Sequence, residues 1–305
     1  MVIPSRIRTI PLLALIPLGI HAQQPTASYS ITQVPLPAEM DKQVCISGLN
    51  WMNGKLYFAS ERCPFVMEAD ASSGAVIRTI PYPAPAVFEM EGVTSYKDKL
   101  YLVAENSVAV YELPLTGGSL RTLTTSQPLP PKSKNGDGME GIAANETDGV
   151  MYLLRERNEA MTVSQIWTFR IENGPDGITL QYDSMIELPL ANPQWRYSDI
   201  CYDPSTRRLL CLKSYSKGKF RQQFIETIQV DAKGIPQQSS LSDLPIERFS
   251  EISNTYKGQR FSMNLEGITI DPQGTLHLVS DNTSGKALCD QPADERTILL
   301  RLTKN

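Results

Sequence analysis

Ser47, Glu91, Glu140, Ser198 and Glu266 hold the same place in five short segments that align without gaps: CISGL at 45–49, EMEGV at 89–93, GMEGI at 138–142, RYSDI at 196–200 and NLEGI at 264–268. Three carboxylates and two hydroxyls recurring at one position of a repeat are hard oxygen donors. If the repeat converges, the carboxylates repel one another unless a cation sits among them. A cation with roughly six to eight oxygen ligands relieves that repulsion, and calcium suits these donors. The five residues are therefore candidate calcium ligands. The alternative is that Glu-Gly recurs because the units are duplicates, with each Glu accepting backbone N–H bonds in a turn.

A second column follows the first by 14, 14, 16, 16 and 15 residues: Glu61, Glu105, Glu156, Ser214 and Asp281. Each closes a second apolar run, so a hairpin returns it to the face it started from. Glu61, Glu105, Glu156 and Asp281 are candidate general bases or water-orienting groups. Arg62, Arg155, Arg157 and Lys213 stand beside them as candidate binders of a small anionic substrate. The same charges would also suit a solvated, self-neutralising surface. His277 falls in the column of Tyr57, Tyr101, Tyr152 and Leu210, which points to packing rather than catalysis. The GxSxG, HExxH and P-loop patterns are absent, which argues against a serine esterase, a zinc protease or a phosphate-cradling loop.

The elements that must position these columns follow from the repeat. The shared Gly or Asp recurs at Gly48, Gly92, Gly141, Asp199 and Gly267, at spacings of 44, 49, 58 and 68 residues. Turn-rich stretches separate each segment from a strand-length apolar run at 56–60, 100–104, 151–155, 209–213 and 276–280. Third strands are predicted at 65–70, 107–113, 165–171, 224–230 and 297–302. Fourth strands are predicted at 75–80, 120–125, 178–188 and 237–244. The last unit lacks a fourth strand, and residues 29–35 can supply it. Full-length units without polar caps favour a closed ring over an open array. The expectation is an all-β, five-bladed β-propeller closed by an N-terminal strand.

The N-terminus reads as an export signal over residues 1–22, because Arg6 and Arg8 precede an apolar stretch that ends in a small-residue cleavage pattern. The stretch is too short for a membrane anchor, so residues 23–305 form the propeller of a periplasmic or secreted protein. Of 29 basic residues, removing Arg6 and Arg8 leaves 27 against 33 acidic ones, which disfavours nucleic acid as a partner. Five cysteines in an oxidising compartment predict a disulfide. Cys63 is expected to pair with Cys45 or Cys289, and Cys201 and Cys211 to be either a cross-strand pair or two buried thiols.

The Met-Glu-Gly and Leu-Glu-Gly repeats resemble the SdiA-regulated and "esterase-like activity of phytase" propellers of bacteria over most of the chain. The order Ser47, Glu91, Glu140, Ser198, Glu266 is also similar to the axial calcium ligands of the soluble calcium-activated nucleotidase (apyrase) propellers. These resemblances imply a calcium-dependent hydrolase of a phosphoester or similar anionic small molecule. The alternative is a non-enzymatic scaffold with structural calcium, using residues 246–263, with Arg248, Phe249, Tyr256 and Arg260, as a contact loop.

Overall fold

The chain enters through β1 (Tyr29–Val34) and then lays down one antiparallel sheet per repeat. The computed structural model describes residues 29–41, 45–84, 89–218, 220–244, 246, 254–256, 259–261, 263–282, 289, 291 and 296–305. The leader at 1–22, Arg248 and Phe249 lie outside these. Blade one is β2 (Ile46–Met52), β3 (Lys55–Ser60), β4 (Phe65–Asp70) and β5 (Val76–Pro81). Blade two is β6 (Met90–Tyr96), β7 (Lys99–Ala104), β8 (Ala109–Leu113) and β9 (Arg121–Thr122). Blade three is β10 (Met139–Asn145), β11 (Val150–Arg155), β12 (Val163–Gly174) and β13 (Gly177–Pro189). Blade four is β14 (Trp195–Asp203), β15 (Arg208–Lys217), β16 (Phe220–Gln229) and β17 (Ser242–Asp243). A small hairpin of β18 (Asn254–Tyr256) and β19 (Gln259–Phe261), which contains Tyr256 and Arg260, precedes blade five. Blade five is β20 (Leu265–Ile270), β21 (Leu276–Ser280) and β22 (Leu299–Lys304), completed by β1 on the edge of β22. Among the described residues there is no α-helix, only the 3-10 turns Ala38–Asp41 and Gln238–Ser240.

The fold is a five-bladed β-propeller, and its closure is visible in the core. Five buried apolar clusters lie one at each seam between neighbouring blades, including a seam where Val34, Ile46 and Leu49 meet Val279 and Leu299. The innermost strands touch in the cyclic order β2, β6, β10, β14, β20 and back to β2. An open arc would leave one apolar face wet. Two features close the same seam: β1 pairs with β22 from Tyr29↔Lys304 to Val34↔Leu299, and Cys63 is bonded to Cys289. The pairing of Cys63 with Cys289 is one of the two expected. Cys201 and Cys211 are buried thiols, one residue out of register, so their side chains leave opposite faces of the hairpin.

Two fourth strands are shorter than predicted. Leu123 still donates to the Val110 carbonyl of its own blade at 2.8 Å, but beyond it the chain crosses over: Leu180 donates to the Thr124 carbonyl and Ser126 to the Leu180 carbonyl, both at 2.9 Å, so the segment binds β13 of blade three. In blade four the turn at Gln238–Ser240 interrupts the run, and Ser240 Oγ takes the Gln229 N–H at 2.7 Å. His277 packs as expected: it is buried, burial lowers its pKa, and its Nε2 lies 3.4 Å from Asp271.

At the axis the inner strands meet backbone to backbone. A Cβ on Gly48 would lie 2.8 Å from the Gly92 Cα, and one on Gly92 would lie 3.0 Å from the Gly141 Cα. In blade four Asp199 replaces the glycine. Its Oδ2 accepts the Ile268 N–H at 2.8 Å, and burial pushes its carboxyl well above the ordinary range. This tight collar separates two cavities of about 350 and about 540 Å³ at opposite ends of the axis.

The collar is testable. Gly48→Ala should destabilise the protein by about 2 kcal/mol, because the obstructing atoms are backbone and cannot rotate away. Gly174→Ala, where the nearest atom would be 3.4 Å away, should stay within about 0.5 kcal/mol. Urea unfolding of both variants decides it, and equal stability would refute close contact at the axis.

Candidate functional site

Each axial residue is the extra residue of a β-bulge. The ladders step from Ile46 to Gly48, Met90 to Gly92, Met139 to Gly141, Tyr197 to Asp199 and Leu265 to Gly267, skipping Ser47, Glu91, Glu140, Ser198 and Glu266. A bulge bends the strand and re-aims the unpaired side chain. Here it turns four of the five into the 350 Å³ cavity, which is lined by Ser47, Glu91, Glu140 and Glu266. Ser198 turns elsewhere and donates to the Leu265 carbonyl at 3.2 Å.

A repeated backbone bond brings in the second column. The N–H groups of Glu61, Glu105, Glu156 and Asp281 donate to the carbonyls of Cys45, Glu89, Gly138 and Asn264, each at 2.9 Å. All four acidic side chains line the same cavity. The two columns interleave: carboxylate oxygens of Glu105, Glu140 and Glu156 lie within 4.8 Å of one another, as do those of Glu89, Glu91 and Glu105. Gly138 makes room for this, since a Cβ there would strike the Glu105 Cγ at 2.2 Å.

Four cations are built into the cluster. Arg196 reaches Glu266 at 2.6 Å and Glu156 at 3.2 Å, and its Nε donates to Ser214 at 3.3 Å. Lys132 bonds Glu89 at 2.9 Å, Asn106 at 3.1 Å and also Glu105. Arg157 pairs with Asp137 and donates to the Pro193 carbonyl at 2.6 Å. Arg62 bonds Glu89 at 2.8 Å and also Glu61. The other two candidate anion binders are placed away from the cavity. Arg155 bonds Gln165 and the Pro131 carbonyl, while Lys213 pairs with Glu226 under the rings of Trp195 and Tyr197.

Burial and these cations pull the carboxylates in opposite directions. Glu89 is held below the usual range, because the Lys132 bond and the Arg62 charge outweigh its burial. Burial instead pushes Glu105 up to about 8 and Glu156 to about 7. Glu91 and Glu140 are pushed well above the ordinary value, first by burial and then by neighbouring carboxylates. Neither forms an ion pair among the described residues. Acids in this condition either keep their protons or wait for a cation.

Residues 84–283 match the Phytase-like family, described as esterase-like activity of phytase. The chain belongs to this family. No curated protein sequence matches. Among solved structures, this Phytase-like propeller is similar to the glutaminyl cyclase of Myxococcus xanthus, with a TM-score of 0.50 and 12% identity over 92% of this chain and 99% of that one. It is also similar to a gluconolactonase from Xanthomonas campestris, with a TM-score of 0.44 and 10% identity over 87% and 88% of the two chains. At such identities the likeness concerns the fold.

Several residues of the Phytase-like site carry no obvious repeat signal. Lys132 and Asp137 come from the long connection between β9 and β10, outside the aligned segments. Glu89, Arg196 and Asn264 open those segments at 89–93, 196–200 and 264–268 and form a third polar column.

The raised carboxyls make stability depend on pH. Because Glu91 and Glu140 have folded pKa values above the unfolded value of 4.5, the metal-free fold holds protons that the unfolded chain has released. That stabilisation is complete below the unfolded pKa and is lost as pH rises through the folded one. Glu89, held low, exerts its effect only below the same value and is flat above it. Glu105, lifted to about 8, and Glu156, lifted to about 7, act in the same direction as Glu91 and Glu140, so chelator-treated protein should lose melting temperature from about pH 5 to about pH 8, and Glu140→Gln should lessen the loss. A melting temperature that rises across that interval in scanning calorimetry would contradict the assignment.

Proposed function

We propose that this Phytase-like propeller is an exported, calcium-dependent hydrolase of a small anionic phosphoester. The observation that carries the reading is the convergence of Glu105, Glu140 and Glu156 beside Glu91, with oxygens at the mutual spacing of ligands around one hard cation. Calcium–oxygen distances of about 2.4 Å put opposed ligands about 4.8 Å apart, so the donor set fits. The Cys63–Cys289 disulfide suits an oxidising compartment.

Glu105, Glu140 and Glu156 would hold the ion, with Glu91 next to them. Bound calcium would neutralise the cluster and polarise a phosphoryl oxygen. Arg157 and Arg196 line the same cavity and offer guanidinium N–H groups to the remaining phosphate oxygens. Glu61 lies on the blade-one side, its carboxyl lifted by burial against the opposing pull of Arg62. It orients the attacking water and takes its proton. The water oxygen bonds to phosphorus, the ester P–O bond breaks, and the leaving oxygen takes a proton from solvent at the cavity mouth. Asp281 lines the same cavity and shares the positioning of the water.

A panel of phosphomonoesters, phytate, nucleoside diphosphates and simple esters, assayed with calcium and with chelator, tests the reading. Calcium should raise the melting temperature, because ligand binds only the folded state. Glu140→Gln should weaken calcium binding. Glu61→Gln should keep calcium binding and cut turnover by about a hundredfold. Calcium binding without turnover on any ester would favour the scaffold reading, which has support in the built-in cations Arg62, Lys132, Arg157 and Arg196. Absence of any calcium effect would refute the metal site.

A further inference from the structure

Strands β15 and β16 run for ten residues each, against six in β3, β7 and β11. In register, Lys213 holds the place that Ser60 and Ala104 hold at the ends of β3 and β7. The residues from Ser214 to Lys217 are therefore an extension, on the face toward which the bulged axial residues turn. At about 3.3 Å per residue it lifts the hairpin by roughly 13 Å.

One side of this extension is aromatic. Trp195 pairs with Tyr215, Phe220 with Lys217 and Phe224 with Lys213, which puts the four rings on one face. Ring centroids lie 5.1 Å apart for Trp195 and Tyr215, 5.5 Å for Trp195 and Phe224, and 5.9 Å for Tyr215 and Phe220. The surface is open: Phe220 is 56% and Phe224 37% exposed. A contiguous exposed apolar patch of this kind marks a binding surface.

The patch is tied to the acidic cavity through its sequence neighbours. Arg196, the neighbour of Trp195, reaches in to Glu266 and Glu156, and Arg157 in the cavity wall donates to the Pro193 carbonyl two residues before Trp195. An anion held in the cavity would have its organic part leave beside these rings. We propose that Trp195, Tyr215, Phe220 and Phe224 form a subsite for a planar ring on the alcohol side of the phosphoester, so that aromatic or heteroaromatic phosphoesters are preferred over polyol phosphates. This rests on the cavity binding a phosphoester. Offset or edge contact with such a ring adds affinity that a polyol cannot gain.

Calorimetric titration of the calcium-treated protein with phenylphosphonate and methylphosphonate, neither of which is hydrolysed, tests the subsite. Phenylphosphonate should bind about five- to tenfold tighter. Phe220→Ala, at an exposed position that the fold does not need, should remove most of that preference and leave methylphosphonate unchanged. Equal affinities, or a preference that survives both Phe220→Ala and Trp195→Ala, would overturn the subsite. If neither phosphonate binds, the phosphoester reading fails instead. The ring subsite then stands only if p-nitrobenzyl alcohol quenches tryptophan fluorescence in the wild type and not in Phe220→Ala, and falls otherwise.

Discussion

Around the axis, five inner strands touch through their backbones. Gly48, Gly92, Gly141 and Gly267 are packed too closely there for a side chain, and Asp199 is accommodated by a carboxyl that bonds the next blade's backbone. This contact lets the ring close at five blades. It also forces the residue before each glycine out of the ladder as a bulge. The polar groups of the first column are thereby expelled from the collar and gathered at one end of it.

Gathering so many carboxylates costs free energy unless their charge is answered, and the fold answers it in two ways. Lys132, Arg196, Arg157 and Arg62 compensate the outer carboxylates through direct bonds. Glu91 and Glu140 receive no such partner among the described residues, and burial pushes their carboxyls well above the ordinary range. The cluster is thus balanced at its edges and lacks direct counter-charge at its centre.

The architecture was legible because ring closure imposes one pattern on every blade: bulge residue, glycine or, in blade four, Asp199, then apolar strand, turn, apolar strand. Residues as far apart as Ser47 and Glu266 could be aligned from that pattern alone. Both acidic columns were legible for the same reason. Arg196 is harder to see, since its column is polar only at Glu89 and Asn264 besides and is broken by Cys45 and Gly138. Lys132 and Asp137 come from a connection outside the aligned segments, and only the folded ring brings them to Glu105 and Arg157. Ser198 shows the converse: its position follows the repeat, yet its hydroxyl finds a nearer acceptor in the Leu265 carbonyl. Arg155 and Lys213 stand at strand ends like their neighbours, but strand alternation turns them toward Gln165 and Glu226.

The bulges also bear on how such a protein changes over generations. A residue inserted between two ladder positions is uncoupled from the alternation that decides which neighbours face the core. Replacing it alters what the axial cavity holds without shifting the register of its blade. The five positions behave as separate sockets on a fixed frame, and blade four, where Ser198 turns aside and Arg196 reaches in, holds a different group on the same frame. New chemistry can enter such a frame one blade at a time, while the remaining four keep the ring closed.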